Sequence, residues 1–160
     1  MKRVFIILIA ILGLCYTASA QNIRLGEKIP EINVESVLGS ELRLIDKDYT
    51  CLIFMHSQCE PCVTALPKLY QLTSQYDDKI ALVLLTSEAK EREVELLAKF
   101  GSYVSAIAFD NNRHTYRSFG INFVPFAVIY NTNSRRIEWF GSTQQIDATV
   151  LNNVCKLLKR

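Results

Sequence analysis

The amino-acid sequence predicts an α/β domain with a mixed central sheet and flanking helices. Short, almost wholly apolar runs are typical of strands buried on both faces, and three of them occur in order: Cys51–Met55, Ile80–Leu85 and Ala106–Phe109. Segments with helical spacing separate these runs, which is the order of an α/β fold. Two further strands, Phe126–Tyr130 and Ile137–Phe140, flank a short turn, so we expect a hairpin to complete a mixed sheet.

A β-hairpin extension is predicted at the N-terminal end of the domain. Ile32–Val37 and Glu41–Leu44 flank a turn that contains glycine and serine. After the first buried strand, apolar and aromatic side chains recur every three or four residues from Cys59 to Tyr76, which predicts a helix. Pro67 falls inside this helix and should kink it, because proline cannot donate the helical hydrogen bond.

Three more helices are predicted towards the C-terminus. Glu88–Phe100 is charged, has apolar residues at helical spacing and is closed by Gly101. Asn112–Phe119 predicts a short helix that ends at Gly120. Apolar residues at helical spacing mark the last helix: Ile146, Val150, Val154 and Leu157.

Residues 1–20 have the three parts of a secretory signal peptide. The chain starts with a basic Met1-Lys-Arg3, continues with an almost unbroken apolar stretch, and reaches the small-x-small site Ala18-Ser-Ala20. The apolar stretch is short for a membrane span, which needs about 20 residues. We therefore predict cleavage after Ala20 and a mature domain at 21–160.

Two alternatives to cleavage stay open. The segment could remain as a membrane anchor, which would be the only link between this domain and a membrane. Cys15 could instead be lipidated, although bulky Leu14 precedes it where a small residue is normally found. In each case the domain leaves the cytosol for the periplasm or another extracytoplasmic space, where disulfides can form.

The charge of the domain does not favour a polyanionic partner. The formal net charge is +2, and it comes from Lys2 and Arg3 in the signal-like segment. Without these two residues, 16 basic side chains balance 16 acidic ones, so nucleic acid is not an expected partner. A length of 160 residues fits one domain, and a hydrophobic fraction of 49% is enough for a core.

The pair Cys59-Glu-Pro-Cys62 could be a metal clip, a structural staple or a redox pair. Structural zinc needs four ligands, and no second paired motif supplies the other two, so no metal site is predicted. A redox pair fits the context better. At a strand-to-helix junction, the first sulfur lies at a helix N-terminus, where unpaired N–H groups and the helix dipole stabilise a thiolate. Cys59 is then the exposed nucleophile, and Cys62, one turn on, is the buried resolving thiol.

Four motifs in the right order resemble the thioredoxin superfamily, and most closely its exported branch of TlpA/ResA-like thiol-disulfide oxidoreductases. They are Leu25-Gly-Glu-Lys-Ile-Pro30, Cys59-Glu-Pro-Cys62, Pro67 and Val124-Pro125. The resemblance covers about residues 25–158 and implies a thioredoxin-like fold. It further implies that the bond before Pro125 is cis, and that the backbone of Val124 pairs with an extended substrate by strand addition.

The resemblance also implies an activity and its partners. The substrates would be protein thiols and disulfides, and the redox-active disulfide would need no cofactor. The sequence has no G-x-G-x-x-G motif and no P-loop, so electrons would come from an upstream thiol reductant. Relatives serve cytochrome c maturation or general thiol repair, and we expect this chain to be a reductant.

Several residues depart from the pattern of the family. Gln58 stands where the family usually has tryptophan. Many thioredoxins carry a buried acid at the position of Ile53, and some exported relatives carry a glutamate at the position of Ala65, so neither familiar proton acceptor for the buried thiol is present. Glu60 lies between the cysteines, and its charge should oppose the thiolate and favour a less oxidising pair. His56 could tune the thiolate or relay a proton, or it could simply bond to backbone or water at the end of a strand.

The two remaining cysteines, Cys51 and Cys155, are expected to be core thiols, since free cysteine is among the most buried residues. A second disulfide between them stays open. Three other functions also stay open. A copper-binding protein could hold Cu(I) with the pair and a histidine, although such relatives use C-x-x-x-C. A peroxidase would place threonine and proline where His56 and Leu52 stand. A non-catalytic interaction module would keep the fold alone.

Overall fold

A six-stranded mixed sheet forms the centre of the protein. The computed structural model describes residues 22–42, 45–76 and 79–156. The strands are β1 (Ser36–Gly39), β2 (Tyr49–Met55), β3 (Ile80–Thr86), β4 (Ala106–Phe109), β5 (Phe126–Asn131) and β6 (Ile137–Ser142). The α-helices are α1 (Glu60–Thr73), α2 (Glu93–Phe100), α3 (His114–Phe119) and α4 (Ala148–Lys156). Each buried run of the sequence forms the strand that it predicts.

The strand order is β1-β4-β3-β2-β5-β6, with parallel strands at the centre and antiparallel ones outside. β2 and β4 are both parallel to β3, whereas β1, β5 and β6 join as antiparallel neighbours. In the parallel register, Met55 at the end of β2 is the partner of Thr86 at the end of β3. The loops that follow β2 and β3 therefore emerge side by side at one edge of the sheet.

Both faces of the sheet are covered, which explains why β2 and β3 are buried at every position. Alternate residues of β2 point to opposite faces. On one face, Ile53 packs in a cluster with Leu66 of α1, Leu96 of α2 and Leu151 of α4. On the other face, Phe54 packs with residues of α3. The predicted α/β architecture, a mixed sheet flanked by helices, is confirmed.

The predicted N-terminal hairpin does not form among the described residues. The first arm is a strand at Ser36–Gly39, but it pairs with β4, with Ser36 opposite Phe109. Glu41 and Leu42 lie outside the strands, and residues 43 and 44 of the second arm lie outside the described residues. A strand can satisfy its backbone groups at any open sheet edge, so the local turn signal did not determine the partner.

The helix boundaries differ from the sequence pattern mainly in one place. The segment predicted as a helix over Glu88–Phe100 contains a 3₁₀ turn at Lys90–Arg92 and an α-helix that begins only at Glu93. Gly120 ends α3 in the left-handed conformation, with φ of 68°. α1 continues through Pro67, and the predicted kink there stays a prediction.

The signal-like segment at residues 1–20 and Leu157 of the predicted last helix lie outside the described residues. No helix in the described portion of the chain is both long and apolar enough to cross a bilayer.

Candidate active site

The Cys59–Cys62 pair lies where β2 ends and α1 begins. Cys59 immediately precedes Glu60, the first residue of α1, and Cys62 lies in the first helical turn. The two residues form a disulfide, with their Cα atoms 5.2 Å apart. A disulfide-forming pair at a strand-to-helix junction is what the sequence predicts.

A tight backbone turn leads into the helix. The N–H of Cys59 donates to the carbonyl of His56 at 3.0 Å, and the carbonyl of Cys59 accepts from the N–H groups of Cys62 at 2.9 Å and Val63 at 3.1 Å. No side chain among the described residues caps the N-terminus of α1. Cys59 therefore lies at the positive end of the helix dipole, a position that favours a thiolate.

The two sulfurs differ in their access to solvent. Cys62 is only 2% exposed and packs in the core cluster beneath α1. Cys59 is half-buried at the edge of the same cluster. This asymmetry agrees with the predicted exposed and buried roles, because thiolate attack requires access to the attacking sulfur.

The Val124–Pro125 bond is cis, as predicted. The two residues immediately precede β5, which pairs with β2 so that Phe126 lies opposite Phe54. Val124 and Cys59 are both half-buried and pack against the same core cluster. Within the residues that the structure describes, neither backbone polar group of Val124 bonds to another backbone group.

The two predicted modulators lie beside the pair. His56 is half-buried, and its Nδ1 accepts a hydrogen bond from the N–H of Gln58 at 3.3 Å. This is the backbone-bonded arrangement that the simpler of the two sequence interpretations expected. Glu60 is exposed in the first turn of α1, so its carboxylate is solvated.

The sequence interpretation missed a buried carboxylate, Glu88, which contacts the loop before Cys59. Glu88 is 5% exposed. It accepts hydrogen bonds from the N–H of Ser57 at 2.9 Å, the hydroxyl of Ser57 at 2.6 Å and the hydroxyl of Thr86 at 3.0 Å, and it forms an ion pair with Arg92. Its place just after β3 was a usable signal, since neighbouring parallel strands end at the same edge. Its assignment to a helix concealed that signal.

The surroundings of Glu88 keep it ionised. Burial acts to raise the pKa of this carboxyl, but the hydrogen bonds from Ser57 and Thr86 and the positive potential of His56 outweigh it and lower the pKa below the ordinary value of 4.5. Lys99 adds a further contact to the loop, because its ammonium donates to the carbonyl of Ser57 at 3.3 Å.

A small cleft of about 170 Å³ lies along α1 and begins at Pro61, between the two cysteines. Pro61, Ala65 and Lys68 of α1 line one side of it, and Thr143 and Ile146, which follow β6, line the other. Ala65 is the position where some relatives of the resembled branch carry a glutamate, and here its small side chain lines the cleft.

The other two cysteines are free core thiols, as the simpler expectation had it. Cys51 is fully buried in β2, and burial raises its pKa to about 12. Cys155 of α4 is 7% exposed, and burial raises its pKa as well. Across the described residues, no group of three or more histidine, cysteine or acidic side chains is arranged to hold a metal ion.

The profile of the thioredoxin-like family matches residues 46–137, and the chain belongs to this family. No curated protein sequence matches the chain significantly. The solution structure of an oxidised thioredoxin-like protein is 20% identical, with a TM-score of 0.68, over 84% of this chain and 99% of that one. A thiol:disulfide interchange protein DsbE of Chlorobium tepidum is 19% identical, with a TM-score of 0.66, over 82% and 99%.

Peroxiredoxins have a similar fold. The reduced 2-Cys peroxiredoxin of Plasmodium vivax is 14% identical, with a TM-score of 0.65, over 86% of this chain and 98% of that one. At such identities the likeness concerns the fold. The thioredoxin-like fold and the Cys59–Cys62 disulfide at the start of α1 together indicate thiol-disulfide redox chemistry with thiol substrates.

Proposed function

We propose that this protein is an exported thiol-disulfide oxidoreductase that reduces disulfides in other proteins through Cys59 and Cys62. One observation carries the proposal. The two cysteines form a disulfide at the N-terminus of α1, with Cys59 accessible and Cys62 buried. A structural disulfide has no need for an accessible sulfur at a helix N-terminus, whereas a nucleophile does.

The reaction proceeds in two exchanges that balance in atoms and electrons. The thiolate of Cys59 attacks one sulfur of a client disulfide, which forms a mixed disulfide and releases the other client sulfur as a thiolate. Cys62 then gives its proton to the released client thiolate or to solvent and attacks the sulfur of Cys59. This step closes the Cys59–Cys62 disulfide and releases the second client thiolate. Two electrons pass to the client, and an upstream thiol reductant must restore the pair.

The client would bind along the loop before β5. The free backbone groups of Val124 suit an extended peptide that adds as a short strand, with its disulfide directed at Cys59. The adjoining cleft, with Lys68 on its rim, would take a neighbouring client side chain. Pro125 is buried beneath this contact.

Export and redox direction rest on separate observations. The signal-like pattern of residues 1–20 and the similarity of fold to a DsbE protein support an extracytoplasmic location, with cleavage after Ala20. Glu60 supports a reductant. A strongly oxidising pair is one whose reduced form is stabilised as a thiolate, and the negative charge of an acid next to Cys59 disfavours that thiolate. The pair itself supplies the electrons, so the reaction needs no cofactor and no metal. Service to cytochrome c maturation would be one use of such a reductant.

Two measurements test the proposal. The purified domain should reduce insulin in the presence of dithiothreitol, and Cys59→Ser should abolish this activity. The reduction potential of the pair should lie near that of thioredoxin, about −270 mV, whereas a value near about −120 mV would make the protein an oxidant. Wild-type protein without any insulin reduction would contradict the enzyme and favour an interaction module.

Export is tested separately. N-terminal sequencing of the protein recovered from outside the cytosol should begin at Gln21. A start at Cys15 would indicate a lipoprotein, and an intact Met1 would indicate an anchor.

A further inference from the structure

Three residues separate β2 from Cys59, and the middle one, Ser57, is held by polar contacts from Glu88 and Lys99. All three polar groups of Ser57 have partners: its N–H and its hydroxyl donate to Glu88, and its carbonyl accepts from Lys99. Ser57 is 5% exposed, and both of its hydrogen bonds to Glu88 are buried. In addition, the N–H of Cys59 is bonded to the carbonyl of His56.

From this arrangement we infer that Glu88 is a positioning residue, which sets the place of the Cys59 sulfur at the helix N-terminus by fixing Ser57. The inference rests on the proposed function in taking Cys59 as the attacking sulfur. Glu88 acts through Ser57 and does not itself react.

The energetics of the contact favour a specific role over general packing. A buried carboxylate is costly unless several donors satisfy it. Here Glu88 receives three hydrogen bonds and an ion pair, and two of the hydrogen bonds come from one residue of the active-site loop. A carboxylate that accepts from both a backbone N–H and a side-chain hydroxyl fixes the orientation of that residue more narrowly than apolar contacts would.

The effect of geometry and the effect of charge have opposite signs. Glu88 lies among Arg92, His56 and Lys99, with Tyr116 and Glu95 also within electrostatic range. If only its negative charge acted on Cys59, its removal would stabilise the thiolate and lower the pKa of Cys59. If Glu88 acts by position, its removal lets the loop shift, moves the sulfur away from the positive end of the helix dipole, and raises the pKa of Cys59.

Glu88→Gln is the appropriate variant because it keeps the shape and removes the charge. Whichever way the amide turns, its NH₂ group meets a donor, either the N–H of Ser57 or the guanidinium of Arg92. Glu95→Gln is the matched control. Glu95 also bonds to Arg92, at 2.6 Å, but its side chain is 57% exposed and Ser57 is not among its partners.

The experiment measures the alkylation of Cys59 by iodoacetamide in the reduced full chain as a function of pH, with the modified residue identified by mass spectrometry. Glu88→Gln should raise the pKa of Cys59 and lower its alkylation rate at pH 7 about tenfold, since small misplacements of a reacting group have effects of this size or larger. Glu95→Gln should match wild type. A lower pKa in Glu88→Gln, or an unchanged pKa with only reduced thermal stability, would overturn the inference.

Ser57→Ala provides a second test that changes no charge. It should shift the pKa of Cys59 in the same direction by a smaller amount, and its combination with Glu88→Gln should be less than additive. If Glu88→Gln does not fold, Ser57→Ala decides: an unchanged pKa would overturn the inference. Failure of this inference can be distinguished from failure of the proposed function. If wild-type protein alkylates normally but reduces no insulin, the enzyme proposal is contradicted, while the effect of Glu88 on the pKa of Cys59 can still be measured.

Discussion

Cys51 and Cys59 are separated by only eight positions in the sequence, yet they lie in very different surroundings. Cys51 is in β2, fully buried between two layers of apolar side chains. Cys59 lies just beyond the end of the same strand, half-buried at the start of α1. Burial raises the pKa of Cys51 to about 12, whereas a helix N-terminus lowers the pKa of a thiol.

Cys62 and Cys155 show a similar contrast between a redox cysteine and a packing cysteine. Cys62 and Cys155 are both buried helix residues, at 2% and 7% exposure. Cys62 lies within bonding distance of an accessible sulfur, and Cys155 is a free thiol. Position relative to the sheet edge and to a helix N-terminus, rather than the side chain itself, therefore separates a redox pair from packing residues.

The largest effect is expected from replacing each cysteine of the pair in turn with serine. Cys62→Ser should leave a competent nucleophile that cannot release its client, so mixed disulfides should accumulate and disappear on reduction. Cys59→Ser should trap little or nothing, because only Cys59 combines access to solvent with a place at the positive end of the helix dipole. Both variants are expressed in the exporting cell, thiols are blocked with acid and alkylator, and non-reducing gels are compared. Equal trapping by Cys59→Ser would make the assignment of roles wrong.

A somewhat smaller effect is the difference in alkylation rate between Cys59 and Cys51 within the same molecule. In the reduced, folded protein at pH 7, iodoacetamide should modify Cys59 within minutes and leave Cys51 untouched. With a pKa of about 12, about one Cys51 in 10⁵ is a thiolate at pH 7. Peptide mapping with and without denaturant gives the comparison. Rapid modification of Cys51 in the folded state would break the distinction drawn here.

Replacing a core thiol should lower the stability of the protein and leave its activity intact, the reverse of replacing Cys59. Cys51→Ser places a hydroxyl where no water can reach it and should lower the free energy of unfolding by about 1–3 kcal/mol, while insulin reduction is retained. Cys155→Ser is the control at a less buried site and should cost less. Urea unfolding of both variants checks this order, and a larger loss from Cys155→Ser would contradict it.

The smallest effect is the contribution of Glu88 to stability at different pH values. Its folded-state pKa lies below the ordinary value of 4.5, so the ionised carboxylate stabilises the fold above that pH. This contribution is lost as the pH falls through the lower folded-state pKa. The gap in melting temperature between wild type and Glu88→Gln should therefore shrink from pH 7 to pH 3. Glu91→Gln, at an exposed position, should show no gap at either pH.

Local patterns were sufficient for much of the fold and for the reacting atoms. The apolar runs predicted five of the six strands because a strand buried on both faces needs apolar side chains throughout. The C-x-x-C spacing predicted the disulfide because residues three apart share a helix face. The pairing of the N-terminal strand with β4 was not predicted, and Glu88 was missed, because both depend on which strand lies next to which.

The sequence by itself determined most of the elements, the family resemblance and the position of the cysteine pair, since these depend on side-chain types and spacing along the chain, and the cis bond before Pro125 was expected only through that resemblance. Only the tertiary structure decided that β1 covers the edge of β4, that Val124 and Cys59 pack against the same core cluster, and that Glu88 accepts hydrogen bonds from Ser57, 31 residues away. These contacts follow from strand order and register. Spacing along the chain does not encode them, because any open sheet edge could accept β1 and any loop at the shared edge could meet the carboxylate.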